Sequence, residues 1–213
     1  MTTTVRVLLE STPKRVFVSA LDWPGWSRSG RDEDRAVEAF LAAAARYSAV
    51  ARQAGEPLDV AALELEVVER VPGDRTTEFG VPSAIAAADR RASTAAEAAR
   101  LASLVEAAWA VFDRTAAGAP AELRKGPRGG GRDTAKIVEH VTGADEAYAG
   151  VMGIPPAARH PVEALRETVL GILREPSDGS PIAGRRWPPR YAARRIAWHA
   201  LDHAWEIEDR AEA

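Results

Sequence analysis

The sequence predicts an α+β protein in which a small β-β-α-β domain, residues 1–79, precedes an all-α domain, residues 80–213. Near the N-terminus, two short segments alternate β-branched and polar residues with a period of two, as strands do. After about residue 80 the strand pattern disappears, and four segments carry apolar residues at helical spacing. Four apolar helical stripes without a sheet are most simply buried against one another, which predicts a four-helix bundle.

The first two strands are predicted at Val5–Leu9 and Arg15–Leu21, where the alternation is clearest. The intervening STPK supplies turn residues, so the two strands should form a hairpin. Pro24 and Gly25 then interrupt the strand pattern within DWPGWSRSGRDED.

One helix and a third strand complete the predicted first domain. Residues 32–54 carry apolar side chains at helical spacing, and residues 58–71 return to alternation. The domain should end near Thr77. The apolar face of the third strand is predicted to consist of Val60, Leu63, Leu65 and Val67.

The second domain contains the four predicted helices. The first runs from about Ser83 to Ala116, and the second starts after Asp133, whose side chain can cap the free amides of the first turn. The third follows Pro161. The fourth follows the proline pair in RRWPPR, residues 185–190, because proline is favoured at a helix start.

The composition excludes several classes of protein. A formal net charge of -3 argues against a nucleic-acid-binding protein, although RRWPPRYAARR is locally basic. No apolar run approaches the length of a membrane span, and the N-terminus lacks the features of a signal peptide, so we expect a cytoplasmic protein with no membrane partner. With 0 cysteines, any thiol chemistry needs a thiol supplied by a co-substrate.

Two histidines lie four residues apart in the last predicted helix. At this spacing the Cβ atoms of His199 and His203 are about 5–6 Å apart, so both rings can reach one metal ion. The pair alone is weak evidence for a metal site and favours two surface histidines. Ile196, Ala200 and Ile207 share their face, however, which predicts that this face is buried.

His140 is the third candidate ligand. It follows Ile137 by three residues and precedes Ala144 by four, which places it within or beside the inward stripe of the second bundle helix. A buried neutral imidazole needs polar partners, and one metal ion would satisfy a nitrogen of all three rings. The alternative is three separately hydrogen-bonded core histidines. His160, in a loop before Pro161, should be solvated.

Charged residues near these histidines have two interpretations. Glu139, Asp202 and Glu206 can accept hydrogen bonds from ligand imidazoles or act as a general base, but charged residues on a helix rim are usually only solvated. The basic loop at residues 124–133, RKGPRGGGRD, can hold an anion or act as a lid, or it can be a solvated loop.

The histidine pattern on four helices resembles the DinB-like superfamily, which includes the YfiT-type metal-dependent hydrolases and the mycothiol- and bacillithiol-dependent thiol transferases. The resemblance rests on KIVEHV and AWHALDHAWE and covers roughly residues 80 to 213. It implies that His140, His199 and His203 hold a divalent metal, zinc or nickel.

The N-terminal region resembles the HicB-like fold of antitoxin proteins. A strand enters ALDWPGWSRSG, and the Ala-rich helix DEDRAVEAFLAAAARY follows. The resemblance implies a fold for residues 1–79. No helix-turn-helix or ribbon-helix-helix segment follows it, so a DNA-binding role is not implied.

Three neutral imidazoles leave an open position on a metal ion, as in catalytic rather than structural zinc sites. Two reactions on a small-molecule substrate follow. The metal can activate water for hydrolysis, or it can bind the thiolate of mycothiol for transfer to an electrophile, and the resemblance favours the second. A third interpretation is a binding or sensor protein without turnover.

The last helix also carries a second apolar stripe on the side opposite the histidines. Its aromatic rings represent more apolar surface than a soluble protein leaves exposed. We expect the first domain to cover this stripe through the Trp23 and Trp26 loop, with a homodimer contact as the alternative. The stripe consists of Tyr191, Trp198, Leu201 and Trp205.

Overall fold

The computed structural model describes residues 2–125 and 131–211, and within these ranges the protein is a mixed α+β structure with one four-stranded sheet and seven α-helices. None of the described helices is long and apolar enough to span a membrane. The elements in chain order are β1 (Thr3–Ser11), β2 (Val16–Ala20), β3 (Ser27–Gly30), α1 (Glu33–Ala42), α2 (Ala44–Gln53), β4 (Leu63–Pro72), α3 (Arg75–Phe79), α4 (Ala95–Gly118), α5 (Thr134–Val151), α6 (Val162–Arg174) and α7 (Pro189–Ala211).

The sheet has the strand order β3-β2-β1-β4, with β1 antiparallel to β2 and parallel to β4. Because side chains alternate along a strand, the register that pairs Val7 with Ala20 places these two on one face and Leu8 with Ser19 on the other. Both faces are buried, since every residue of β2 is buried.

The predicted hairpin is confirmed, but the β-β-α-β order is wrong because β3 was missed. Its sequence, SRSG, has no apolar residue and therefore gives no strand signal. The strand exists because its backbone pairs with β2, and Ser27 Oγ lies 2.7 Å from Ser19 Oγ on that strand.

The single helix predicted at residues 32–54 is two helices, with the break at Ala43. The break brings side chains from both helices onto one indole. The Trp26 ring stacks on Phe40 with centroids 4.3 Å apart and on Tyr47 with centroids 5.2 Å apart. Its Nε1 donates to the Phe40 carbonyl at 3.0 Å.

The predicted third strand is present as β4, but its apolar face is not the one expected. Val60 precedes the strand, and Val67 is 40% exposed. A register shift against β1 follows Val67, since Val7 pairs with Val67 and Leu8 pairs with Glu69. Such a bulge reverses the side to which later residues point.

The first long helix begins at Ala95, twelve residues later than the predicted start at Ser83. Thr94 caps it, accepting from Glu97 N at 3.3 Å, while Glu97 accepts from Thr94 N at 2.9 Å. The preceding segment is held on the sheet by Glu10. This buried carboxylate accepts from the backbone amides of Ser83 and Ala84, each at 3.1 Å.

The four long helices pack on one another, with α4 against α6 and α7, and α5 against α6 and α7. The predicted starts of α5 and α6 are confirmed, because the helices begin directly after Asp133 and Pro161. Asp133 does not cap α5, however. Its carboxylate accepts from Leu123 N at 3.2 Å instead.

The N-terminal strands cover the second apolar stripe of α7, as predicted. Phe17 meets Trp198 edge to face at 6.4 Å, and the Arg28 guanidinium lies 3.9 Å from the Trp205 ring centroid. The contacting residues differ from those expected, because Trp26 packs on α1 and α2. Gly25 takes its place against Leu201, where an added Cβ would lie 2.7 Å from Cδ1.

Replacing Gly25 with alanine tests this contact, and Gly55→Ala is the matched control. Both glycines have positive φ, +95° and +76°, so both variants carry a backbone penalty of about 1 kcal/mol. Only the new methyl at Gly25 would meet α7. We expect Gly25→Ala to lower the free energy of unfolding by roughly 1–3 kcal/mol more than the control in denaturant titrations. Equal losses would contradict the close packing of this turn on α7.

Asp145 of α5 is a buried carboxyl within this helical core. It accepts from Trp109 Nε1 at 3.3 Å and from Arg166 Nε at 3.1 Å. Burial outweighs these partners and raises the pKa of Asp145 to about 6. The folded protein therefore holds this proton more tightly than the unfolded chain does.

The raised pKa predicts a pH-dependent stability that Asp145→Asn should remove. The stabilisation from the protonated carboxyl is fully present below pH 3.8 and is lost as pH rises through about 6. The unfolding free energy of the native protein, relative to Asp145→Asn, should fall over this range by up to about 1.4 kcal/mol per pH unit. Asp113→Asn, which removes the exposed carboxylate from the same arginine, is the control. A difference that does not change between pH 4 and 6 would contradict the prediction.

Candidate metal centre

Helices α5 and α7 bring the three predicted ligands together. One ring nitrogen of each of His140, His199 and His203 lies within 4.8 Å of the others. The ring centroids are 5.0 Å apart for His140 and His199, 4.9 Å for His140 and His203, and 4.7 Å for His199 and His203. Among the described residues, this is the cluster whose geometry suits a metal ion.

The spacing and chemistry of these nitrogens fit a divalent ion. His140 Nε2 and His199 Nε2 are 3.2 Å apart. Two nitrogens bound to one tetrahedral zinc at about 2.1 Å lie about 3.4 Å from each other. The same separation also suits a hydrogen bond between two neutral imidazoles, so the third ring, His203, is what distinguishes the arrangement from a simple pair.

A carboxylate orients His203. Its Nδ1–H donates to Glu206 Oε2 at 2.7 Å, which leaves Nε2 with a free lone pair. Arg210 donates to the other oxygen of Glu206 at 2.8 Å, and Arg132 lies 4.0 Å away. The hydrogen bond with His203, followed by these cations, lowers the pKa of Glu206. The carboxylate therefore stays ionised as an acceptor for a ligand imidazole.

His199 is buried, as is His203, and each has 7% of its surface exposed. Burial, followed by the proximity of His203 and His140, lowers the pKa of His199 to about 2. The ring is therefore neutral near neutral pH, as a metal ligand must be. Its Nδ1 is buried and has no hydrogen-bond partner among the described residues, unlike Nδ1 of His203.

The prediction that His140 faces the interior is wrong, because this ring is exposed. Ile137 and Val141 of α5 point into the core, and three residues of helix rotate His140 to the rim between core and solvent. It still reaches the other two histidines. His160 is solvated as expected, with a side chain that is 71% exposed.

Aromatic residues close one side of the centre. The Tyr148 ring lies edge-on to His199 with centroids 5.6 Å apart, and Trp187 lies 5.2 Å from Tyr148. The sequence placed Tyr148 only in the inward stripe of α5, and its contact with His199 was missed. The sequence did contain a signal for this contact, because Tyr148 follows His140 by two helical turns and so lies on the same side of α5.

The three carboxylates predicted near the histidines have different partners in the structure. Of the three predicted carboxylates, Glu206 is the one that forms a hydrogen bond with a histidine among the described residues. Arg210, one turn later, donates to the same carboxylate. Asp202 instead accepts from Arg28 at 3.1 Å, across the boundary with the sheet. Glu139 lines a surface groove, described below.

Part of the basic loop lies outside the described residues, namely residues 126–130 with Arg128. Of the parts that are described, Lys125 pairs with Asp133, and Arg124 donates to the Asp209 carbonyl at 2.8 Å. These two cations therefore tie the loop to α5 and α7.

A groove opens beside the centre on the solvent side of α5. Its volume is about 590 Å³, and it reaches the centre at His140. His140 thus has one side toward the buried histidines and the other toward a space large enough for a small molecule. The lining consists of Arg132, Lys136, Glu139, His140, Gly143 and Ala144.

Removing any one of the three clustered rings should abolish tight metal binding. We expect His140→Ala, His199→Ala and His203→Ala each to weaken Zn²⁺ or Ni²⁺ binding at least about 100-fold, since only two ligands would remain. Metal content by elemental analysis and affinity by competition with a chelator measure this. His160→Ala, which removes the solvated histidine, should retain the native metal content. Retention of metal by all three variants would contradict the centre.

Glu206→Gln should weaken metal binding more mildly, by about 10–100-fold, because the neutral amide holds the His203 tautomer less firmly. Chelator competition gives the affinity. Glu139→Gln removes a neighbouring charge that makes no contact with a histidine and is the matched control. Equal affinities for the two variants would show that Glu206 does not orient His203.

No protein-family model, no curated protein and no solved structure matches this chain. The assignment of a metal centre therefore depends on the positions of the three histidines and of Glu206.

Proposed function

We propose that the chain is a metal-dependent enzyme of the DinB-like type that transfers a low-molecular-weight thiol, mycothiol, to an electrophile. His140, His199 and His203 would hold the metal, zinc or nickel. The observation that carries the proposal is the convergence of three imidazole nitrogens at the end of an open groove. The resemblance in KIVEHV and AWHALDHAWE adds the reaction class.

The architecture supports the same proposal. The sheet with α1 and α2 corresponds to the proposed HicB-like domain, residues 1–79, and α4 to α7 to the proposed DinB-like four-helix bundle, residues 80–213. In this proposal the first domain has a supporting role, because its strands pack against the side of α7 opposite the histidines.

A divalent ion held by three neutral imidazoles keeps at least one position open, where it can activate a thiolate or a water molecule. The chain's own residues prepare that position. Glu206 holds the proton of His203 on Nδ1, and burial keeps His199 uncharged. Tyr148 and Trp187 exclude water from one side, so a substrate approaches past His140.

The absence of cysteine favours thiol supply from outside. The chain has 0 cysteines, so no protein thiolate competes for the open position. A co-substrate thiolate, whose proton is released to solvent, would be the nucleophile. Its sulfur would bond to an electrophilic carbon, and a leaving group such as bromide would depart from that carbon with its bonding electron pair.

Turnover with the purified, metal-loaded full chain tests the proposal. Mycothiol and an electrophile such as monobromobimane should react faster with the native protein than with His203→Ala, and His160→Ala should match the native rate. Ester and amide substrates without thiol form the second arm. Turnover confined to that arm would replace thiol transfer with metal-dependent hydrolysis, and no turnover above the metal-free control in either arm would leave a binding or sensor protein.

A further inference from the structure

The groove beside His140 has a charge pattern that the metal centre does not explain. Arg132 and Lys136 line it, and Glu139 is the carboxylate in its lining, so two cations face one anion. On α5, Lys136 precedes His140 by one turn. A ligand that contacts the Lys136 ammonium is therefore also within reach of the exposed ring of His140.

Lys136 differs from the other lysines of the chain. Lys14 pairs with Glu78 at 2.9 Å, and Lys125 pairs with Asp133. Lys136 forms no ion pair with any described residue, although Glu139 lies on the same helix. Its charge is thus available to a ligand in the groove. Arg132 is only loosely engaged, with its guanidinium 4.0 Å from Glu206.

The ligand set itself favours an anion. The cluster consists of histidines, whose imidazoles bring no negative charge, and the ionised Glu206 beside His203 offsets only part of the charge of a divalent ion. The cations of the groove and the ion would then attract the same negatively charged group, and field lines concentrate in such a cleft.

We propose that this groove binds the anionic group, a carboxylate or a phosphate, of a small organic substrate, with Lys136 and Arg132 as the binding cations. This inference deepens the proposed function and rests on it for the position of the reacting centre. It names the substrate class: an electrophile that carries a negative charge within a few ångströms of the atom that reacts.

Gly143 provides space for the rest of such a molecule. A Cβ added there would meet nothing within 4 Å, which shows that the helix surface at this point is open. A leucine side chain at this position would occupy part of the groove that Gly143 lines. It would also raise helix propensity, so the fold should not be weakened.

Isothermal titration of the zinc-loaded full chain with malonate, inorganic phosphate and neutral malonamide tests the inference. We expect malonate or phosphate to bind and malonamide not to bind, and the anion that binds identifies the group. Lys136→Gln and Gly143→Leu should each weaken anion binding at least about 10-fold, since hydrogen bonds to charged groups and free groove volume are lost. Lys14→Gln, an exposed lysine in the sheet hairpin, and Gly171→Leu, an open helical position on α6, are the controls and should match the native affinity.

Zinc content, measured on every sample, separates this inference from the proposed function. The anion groove is overturned, even if zinc is bound, when the native protein binds neither anion. It is also overturned when the native protein and Lys136→Gln bind an anion with equal affinity. A native protein that takes up no zinc overturns the metal centre. In that case the same titration is repeated on the metal-free protein. Anion binding that Lys136→Gln weakens supports the groove, and binding that this variant leaves unchanged overturns it.

Discussion

The burial of α7 on two opposite sides is the constraint on which the rest of the structure depends. One side packs against the N-terminal sheet through Trp198, Leu201 and Trp205, and the other carries His199 and His203. A helix held on both sides has little freedom to rotate, so its two imidazoles have fixed directions. Catalytic and binding groups on rigid elements keep the geometry that loops do not.

Ion pairs also hold α7 in a fixed position. Arg194 of α7 makes two hydrogen bonds to Asp89, at 2.9 and 2.6 Å, and both groups are buried. Arg28 pairs with Asp202 at the level of the histidines. A buried ion pair adds little net stability, but losing one partner of Arg194–Asp89 would leave an unpaired buried charge, so this pair favours a single position of α7 against the connector that carries Asp89.

Periodicity predicted the parts of the fold that depend on local sequence. The hairpin followed from alternation, the starts of α5 and α6 from Asp133 and Pro161, and the convergence of three histidines from their positions on the apolar stripes. The polar strand β3 did not, because backbone pairing with β2 alone creates it. The start of α4 was missed because Glu10, distant in sequence, holds residues 83 and 84 off the helix. His140 was assigned to the core because three-residue spacing does not distinguish an inward position from one at the rim.

The contacts of Glu10 also bear on how the molecule can move. Four donors surround this buried carboxylate, and two of them are backbone amides of the segment that joins the sheet to α4. A rotation at this connector would pull these amides away from the carboxylate, and a buried carboxylate that loses its donors costs free energy. A hinge motion at this connector is therefore opposed by the same hydrogen bonds that hold residues 83 and 84 on the sheet.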